Sequence, residues 1–205
     1  MSERGRPRSF DRQQALARAM HLFWQKGFEE TSMSDLTKAM GIAPPSLYAA
    51  FGSKEALFTE ALDLYQATVN TEIWGVLDEG ETISAAIDGF LVNTARAYSR
   101  PDVPAGCMIV LGANPAASEI EAVGQDIRLR RAENISQLMS RFERAVSKGE
   151  LADSFDCKAA AVFFATLQNG MSLLARDGGG EDALMAVARS GCLALEGMTR
   201  GHRRG

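Results

Sequence analysis

From Asp11 to Lys26 apolar residues return at helical spacing, with Leu16, Met20 and Phe23 on one face and Ala19 beside them. Gly27 stops that helix. Ser32 or Ser34 is placed to cap a second, short helix carrying Leu36, Ala39 and Met40, which Gly41 ends. Pro44-Pro45 opens a third, because a proline lacks an N–H that the first turn leaves unused anyway. This third helix carries Leu47 and Tyr48 and ends near Phe51-Gly52. Ser53 caps a fourth, with Glu55 in the first turn, where the helix dipole favours an acid.

The rest of the pattern is also helical. Thr82 to Tyr98 is amphipathic through Ile83, Ile87, Phe90, Leu91 and Thr94. A break from Arg100 to Gly106 precedes a short apolar segment, Cys107 to Ala113. Ser118 is the expected start of a long helix with Ile120, Val123, Ile127, Ile135, Leu138, Phe142 and Val146, stopping near Gly149. Lys158 to Arg176 and Glu181 to Met198 are two more, separated by Gly178-Gly179-Gly180. No convincing period-two strand is present, so the chain reads as all-α.

Composition narrows the function classes. With 46% apolar residues in a chain of 205, a buried core is within reach and a disordered chain is excluded. The net charge of −4 argues against nucleic acid wrapped over the whole surface, so any such contact is local. Residues 1–65 balance eight basic against eight acidic side chains, and the acidic excess falls on residues 66–205. Met1 to Arg8 forms a short basic arm with Arg4, Arg6 and Arg8. It is either a solvated tail or a reach toward phosphates or an A·T-rich minor groove. No stretch approaches the roughly 18 apolar residues of a membrane span. Cys107, Cys157 and Cys192 are odd in number and far apart, which is neither a disulfide framework nor a metal cluster and suits a reducing cytoplasm. His21 and His202 are the only histidines, so histidine-based acid/base or metal chemistry has no basis, and no cofactor, metal or enzymatic activity is expected.

Residues 33–51 read as short helix, tight turn at Gly41, short helix. In a helix-turn-helix the second helix of such a pair fits a major groove about 12 Å wide while the first braces it. Many αα-hairpins look alike, and the weight comes from the combination. A core helix and a basic arm precede the pair. Ser46, Tyr48, Ala49 and Ala50 stand on the second helix. Ser53-Lys54 then sets a cation at a helix start, where backbone N–H groups and Lys54 can share one phosphate.

The run Thr31-Ser-Met-Ser-Asp-Leu-Thr-Lys-Ala-Met-Gly-Ile-Ala-Pro-Pro-Ser-Leu-Tyr-Ala-Ala-Phe-Gly-Ser-Lys-Glu-Ala-Leu-Phe58 resembles the DNA-binding block of the TetR family of bacterial regulators. The match spans roughly residues 9–65; beyond it only the helical architecture agrees. The resemblance implies that Thr31 and Ser32 cap the second helix and touch a phosphate. It sets Ser46 and Ala49 toward bases, Pro44 and Pro45 at the groove edge, and Tyr48 and Lys54 on phosphates. Leu36, Ala39, Ile42, Leu47, Phe51 and Leu57 become a small core. This sequence departs from the family pattern at Pro44, often polar or basic, and at Ala49 or Ala50, often His or Tyr. Thymine-methyl contacts and DNA shape then carry more of the specificity.

The implied organisation is a flexible basic arm at 1–8, a three-helix helix-turn-helix DNA-binding domain at 9–52, and a larger helical effector-binding and dimerisation domain at 53–205. The expected function is a ligand-responsive repressor, dimeric on a palindromic double-stranded DNA operator. A ligand-independent DNA-binding or chromosome-organising protein is the alternative. The last two helices, with Phe163, Phe164, Leu167, Met171, Leu174, Leu184, Val187, Cys192 and Leu195, have enough apolar surface to pair with a second copy. Trp74, Phe90, Tyr98, Met108, Leu111, Phe142 and Met171 are either plain core or the lining of an apolar effector pocket, with Asn93, Asn114 and Gln168 as polar groups. Cys107, at the start of a short helix, is either an inert buried thiol or one activated by the helix dipole.

Overall fold

The structure is a computed structural model that describes residues 10–114 and 120–201. The arm residues Arg4, Arg6 and Arg8 and the expected helix start Ser118 lie outside the described residues.

Eleven helices follow one another among the described residues. They are α1 (Arg12–Lys26), α2 (Met33–Met40), α3 (Pro44–Phe51), α4 (Lys54–Thr68), α5 (Thr71–Trp74) and α6 (Val76–Glu79). The chain continues with α7 (Ile83–Tyr98), α8 (Met108–Leu111), α9 (Glu121–Ser147), α10 (Cys157–Arg176) and α11 (Glu181–Gly201). The helix starts follow the caps in the sequence. Asp11 accepts from the N–H groups of Gln13 and Gln14, Ser53 from Ala56, Thr82 from Ala85 and Asp156 from Ala159. Gly41 closes α2 with φ 70°, a left-handed conformation that a glycine adopts without steric cost.

Two features differ from the periodicity. The buried stripe of α1 is Ala15, Ala19, Phe23 and Trp24, while Leu16 and Met20 are only partly buried. Phe23 and Trp24 meet Phe58 and Tyr65 of α4, and those ring contacts fix which face of α1 turns inward. Helices α5 and α6 have no counterpart in the sequence pattern. Each is a single turn, joined at Gly75, and one turn is too short to show a period.

The first four helices form a head in which α4 lies across α1 and reaches α9 in the body. Helix α10 packs between α7 and α9, and α11 runs along α7. Head and body share one continuous apolar core. Phe23 and Phe28 both meet Phe58, with ring centroids 5.1 Å apart, and Trp24 meets Tyr65 edge-on at 5.0 Å. Truncating a buried aromatic costs about 3–5 kcal/mol, against about 1 kcal/mol for a lost cap. Packing against α4 therefore fixes the head, and the caps set where each helix begins.

Polar ties run between the same elements. The Trp24 indole N–H donates to the Gly106 carbonyl at 3.0 Å, and the Phe28 N–H to that of Gly112 at 2.7 Å. Arg176 at the end of α10 donates to the carbonyls of Trp24, Gln25 and Ala105 at 2.8, 3.0 and 3.1 Å. Two of these acceptors belong to the last turn of α1, where the helix dipole favours a cation. Arg130 of α9, largely buried, pairs with Asp63 and Asp126 at 2.7 Å and donates to Gln66, joining α9 to α4. None of these ties showed in the sequence.

Candidate nucleic-acid interface and the clefts of the body

Helix α2, the Gly41 turn and α3 form the expected helix-turn-helix. Ser32 caps α2 in a reciprocal box: its hydroxyl accepts from the Asp35 N–H at 3.1 Å, and the Asp35 carboxylate accepts from the Ser32 N–H at 3.2 Å. These bonds, the backbone one first, hold the Asp35 carboxyl below its ordinary pKa. Thr31 corrects its expected role. It is fully buried and its hydroxyl donates to the Gly27 carbonyl, so Ser32 alone caps α2 and the Thr31 side chain has no surface to offer a phosphate.

Leu47 and Phe51 turn inward and hold α3 on the core, leaving Pro44, Pro45, Tyr48 and Ala49 outward, with Ser46 half-buried beside them. Tyr48 is 52% exposed, with its phenol turned to the surface. This outward surface carries one phenol and otherwise small or apolar groups. Ser53 caps α4 next to it. The Lys54 ammonium rests 4.2 Å above the Phe28 ring. Partial burial lowers the Lys54 pKa, with Glu29 and Glu55 opposing. Arg12 was missed by the sequence reading. It pairs with Glu60 at 2.8 Å, donates to the Ala50 carbonyl at 3.2 Å and lies 4.3 Å over the Phe51 ring, fixing the end of α3 to α1 and α4.

Of the residues expected around an effector, Phe90, Tyr98, Cys107, Met108 and Phe142 are buried in the core, and none lines any of three clefts found between the helices of the body. Leu111 is half-buried and outside them too. Large aromatic and sulfur-bearing side chains fill space when they meet. Phe142 stacks with Phe164 at 5.8 Å, and Phe90 meets Trp74 edge-on at 5.0 Å. Trp74 does line a cleft. It opens between α4–α6 and α9, has a volume of about 710 Å³, and includes Gln66, Asn70, Asn134, Arg141 and Arg144. Asn93, Arg96 and Arg100 line a second of about 590 Å³, and Asn93 donates to the Glu72 carbonyl there. Met171 lines the third, an apolar groove of about 530 Å³ with Phe163, Leu167 and Leu174.

Cys107 heads a single turn and is 2% exposed, with its N–H on the Ser172 hydroxyl at 2.8 Å. The neighbouring Tyr65 and Tyr98 phenols are raised well above their ordinary pKa, by burial first and the adjacent thiol second. The outward apolar face of α10 and α11 also differs from expectation. Phe164, Met171, Leu184 and Leu195 turn into the core, while Val162, Phe163, Leu173 and Leu193 are exposed.

An all-α chain with an N-terminal helix-turn-helix and a larger helical body defines a class of DNA-binding regulators. Residues 15–61 match the model of the bacterial regulatory proteins of the tetR family. Over 186 residues the chain is 33% identical to the HTH-type transcriptional repressor ComR of Escherichia coli, covering 90% of this chain and 89% of that one. It is 32% identical over 184 residues to the repressor BdcR of the same organism, covering 90% and 88%. A solved TetR family regulator, a cysteine mutant of CifR complexed with 26-bp operator DNA, superimposes with a TM-score of 0.87. It is 38% identical, covering 93% of this chain and 99% of that one. The chain belongs to the TetR family of transcriptional regulators.

Proposed function

We propose that this chain is a transcriptional repressor that binds a palindromic operator as a dimer and releases it when a small effector enters the body. The carrying observation is the exposed face of α3. Tyr48, Ala49, Pro44 and Pro45 point away from a head whose every other large apolar side chain is at least partly buried. Residues 9–52 are the DNA-binding unit, the basic residues of 1–8 add to its affinity for DNA, and residues from 53 onward sense and dimerise. Tyr48, Ser32, Ser53 and Lys54 hold phosphates, while Ser46 and Ala49 meet base edges. The chain performs no catalysis and works in the cytoplasm, where its three free thiols stay reduced. Helices α10 and α11 of two copies form a four-helix bundle through Phe163, Leu173 and Leu193.

Selection of bound fragments from the source genome, followed by titration of the best one at several salt concentrations, tests this reading. A dimer on a palindrome is the expected result. Lys54→Ala weakens binding similarly across sequences and reduces the salt slope by about one. Weak, sequence-independent binding would favour a chromosome-organising protein instead. A ligand-blind palindrome binder would retain the DNA half of the proposal and remove the effector half.

A further inference from the structure

The cleft between α4–α6 and α9 has an incompletely used cation in its wall. Arg141 is 2% exposed, yet its guanidinium makes one weak hydrogen bond, Nη2 to the Gly80 carbonyl at 3.3 Å. Its Nε and Nη1 are buried with no partner. No carboxylate lies within ion-pair distance of it among the described residues. Two acids are near it. Asp78 pairs with Arg144 at 2.9 Å, and Glu150 gives one oxygen to the Ile83 N–H while its other oxygen is buried without a partner, beyond ion-pair distance of Arg141. Asn70, 6% exposed in the same cleft, also leaves its side-chain oxygen without a donor.

Arginine stays charged in proteins, so the burial penalty here falls on an ion rather than being escaped by deprotonation. Buried N–H groups without acceptors are rare, because each forfeits its hydration. The end edge of the guanidinium, with Nη1 free and Nη2 held only by its 3.3 Å bond to Gly80, matches the two oxygens of a carboxylate. Trp74 supplies a flat, half-buried wall for an apolar body, and Asn70 and Asn134 supply hydrogen bonds to a polar substituent. The charge in the cleft selects a monoanion. Arg144 is already paired with Asp78, and Glu133 lies on the rim, so a phosphate dianion would meet one free cation and two acids.

We propose that this cleft binds a small organic carboxylate with an apolar or aromatic body, Arg141 holding the carboxylate and Trp74 the body. This deepens the regulatory reading and rests on it for its consequence. Gln66 and Asn70 belong to the end of α4 and the segment after it, and α4 begins at Ser53-Lys54 beside the recognition helix. A ligand wedged between α4 and α9 acts on the helix that carries the head.

The test uses the full-length protein with acetate, benzoate and phenylacetate as probes, benzamide and phenylacetamide as neutral counterparts, and inorganic phosphate. Binding is followed by thermal shift and by quenching of Trp74, with Trp74→Phe as the fluorescence control. The carboxylates are expected to raise the unfolding temperature and the others not. Arg141→Met is expected to fold with unchanged or higher stability without ligand, since it removes an unpaired buried charge, and to weaken carboxylate binding about 10- to 100-fold. Arg141→Lys, which keeps the charge but loses the fork, gives an intermediate loss. If no carboxylate stabilises the wild type more than Arg141→Met, or if amides and phosphate act as well, the proposal is overturned. So it is if Arg141→Met unfolds in ligand-free buffer, because Arg141 is then a structural group. Carboxylate binding without any operator would overturn the regulatory reading alone. Operator binding with no carboxylate effect would overturn this inference alone.

Discussion

Gly106 shows what one residue decides. Its φ of 78° is left-handed, and a Cβ there would stand 2.6 Å from the Ser172 carbonyl oxygen and 2.8 Å from its hydroxyl. That hydroxyl takes the Cys107 N–H, and the Gly106 carbonyl takes the Trp24 indole. Gly106→Ala is therefore expected to cost about 2 kcal/mol or more, from a backbone strain of about 1–2 kcal/mol plus a clash that α10 cannot relieve. Thermal unfolding measures it. Gly52→Ala is the comparison, with φ 80° but open space around it. The sequence marked caps well because a cap is local: Ser32 and Asp35 find each other within one turn. It misjudged Thr31, whose place in the core is set by contacts far along the chain. It was silent on Arg141, although a signal existed, since Asn134 and Arg141 interrupt the buried stripe of Leu138, Phe142 and Ala145 on α9.

At the scale of elements, the helices of eight residues or more were legible from their period and caps, and the single turns α5 and α6 were not. Which face of α10 and α11 turns inward depends on neighbours that no period names. The contact of α11 with α7 also has a pH signature. The Cys192 thiol is held at about 11, first by burial and then by its hydrogen bond to the Asp88 carboxylate. Tyr65 and Tyr98 shift in the same upward direction. Each group binds its proton more tightly folded than unfolded. Stability from Cys192 is thus complete below its unfolded pKa of about 9 and is lost as pH rises toward 11. The tyrosines extend the loss above about 10. Urea midpoints taken from pH 8 to pH 11 should fall, and Cys192→Ser should flatten the early part of the fall. A midpoint that rises over this interval would contradict the assignment.

Over the whole molecule, the exposed apolar side chains of α10 and α11 argue for a second copy. Leu173 is 54% and Leu193 65% exposed, and with Val162 and Phe163 they make four large apolar side chains turned outward on these two helices. Leu173→Glu is expected to give monomers by size-exclusion chromatography with light scattering. Operator affinity should fall with it, because each half-site is then bound alone, while the helical circular dichroism stays. Arg176 has a different consequence, one for engineers who build hybrid sensors. A graft cut at Gly52 transfers the recognition helix but strands the end of α1, whose last carbonyls are held by a residue more than a hundred positions away. Such a chimera would read its operator with an unanchored head and answer poorly to any inducer. A transplant that carries Gly106, Gly112 and Arg176 along with the first fifty residues keeps the clasp between the two partners' reading and sensing parts.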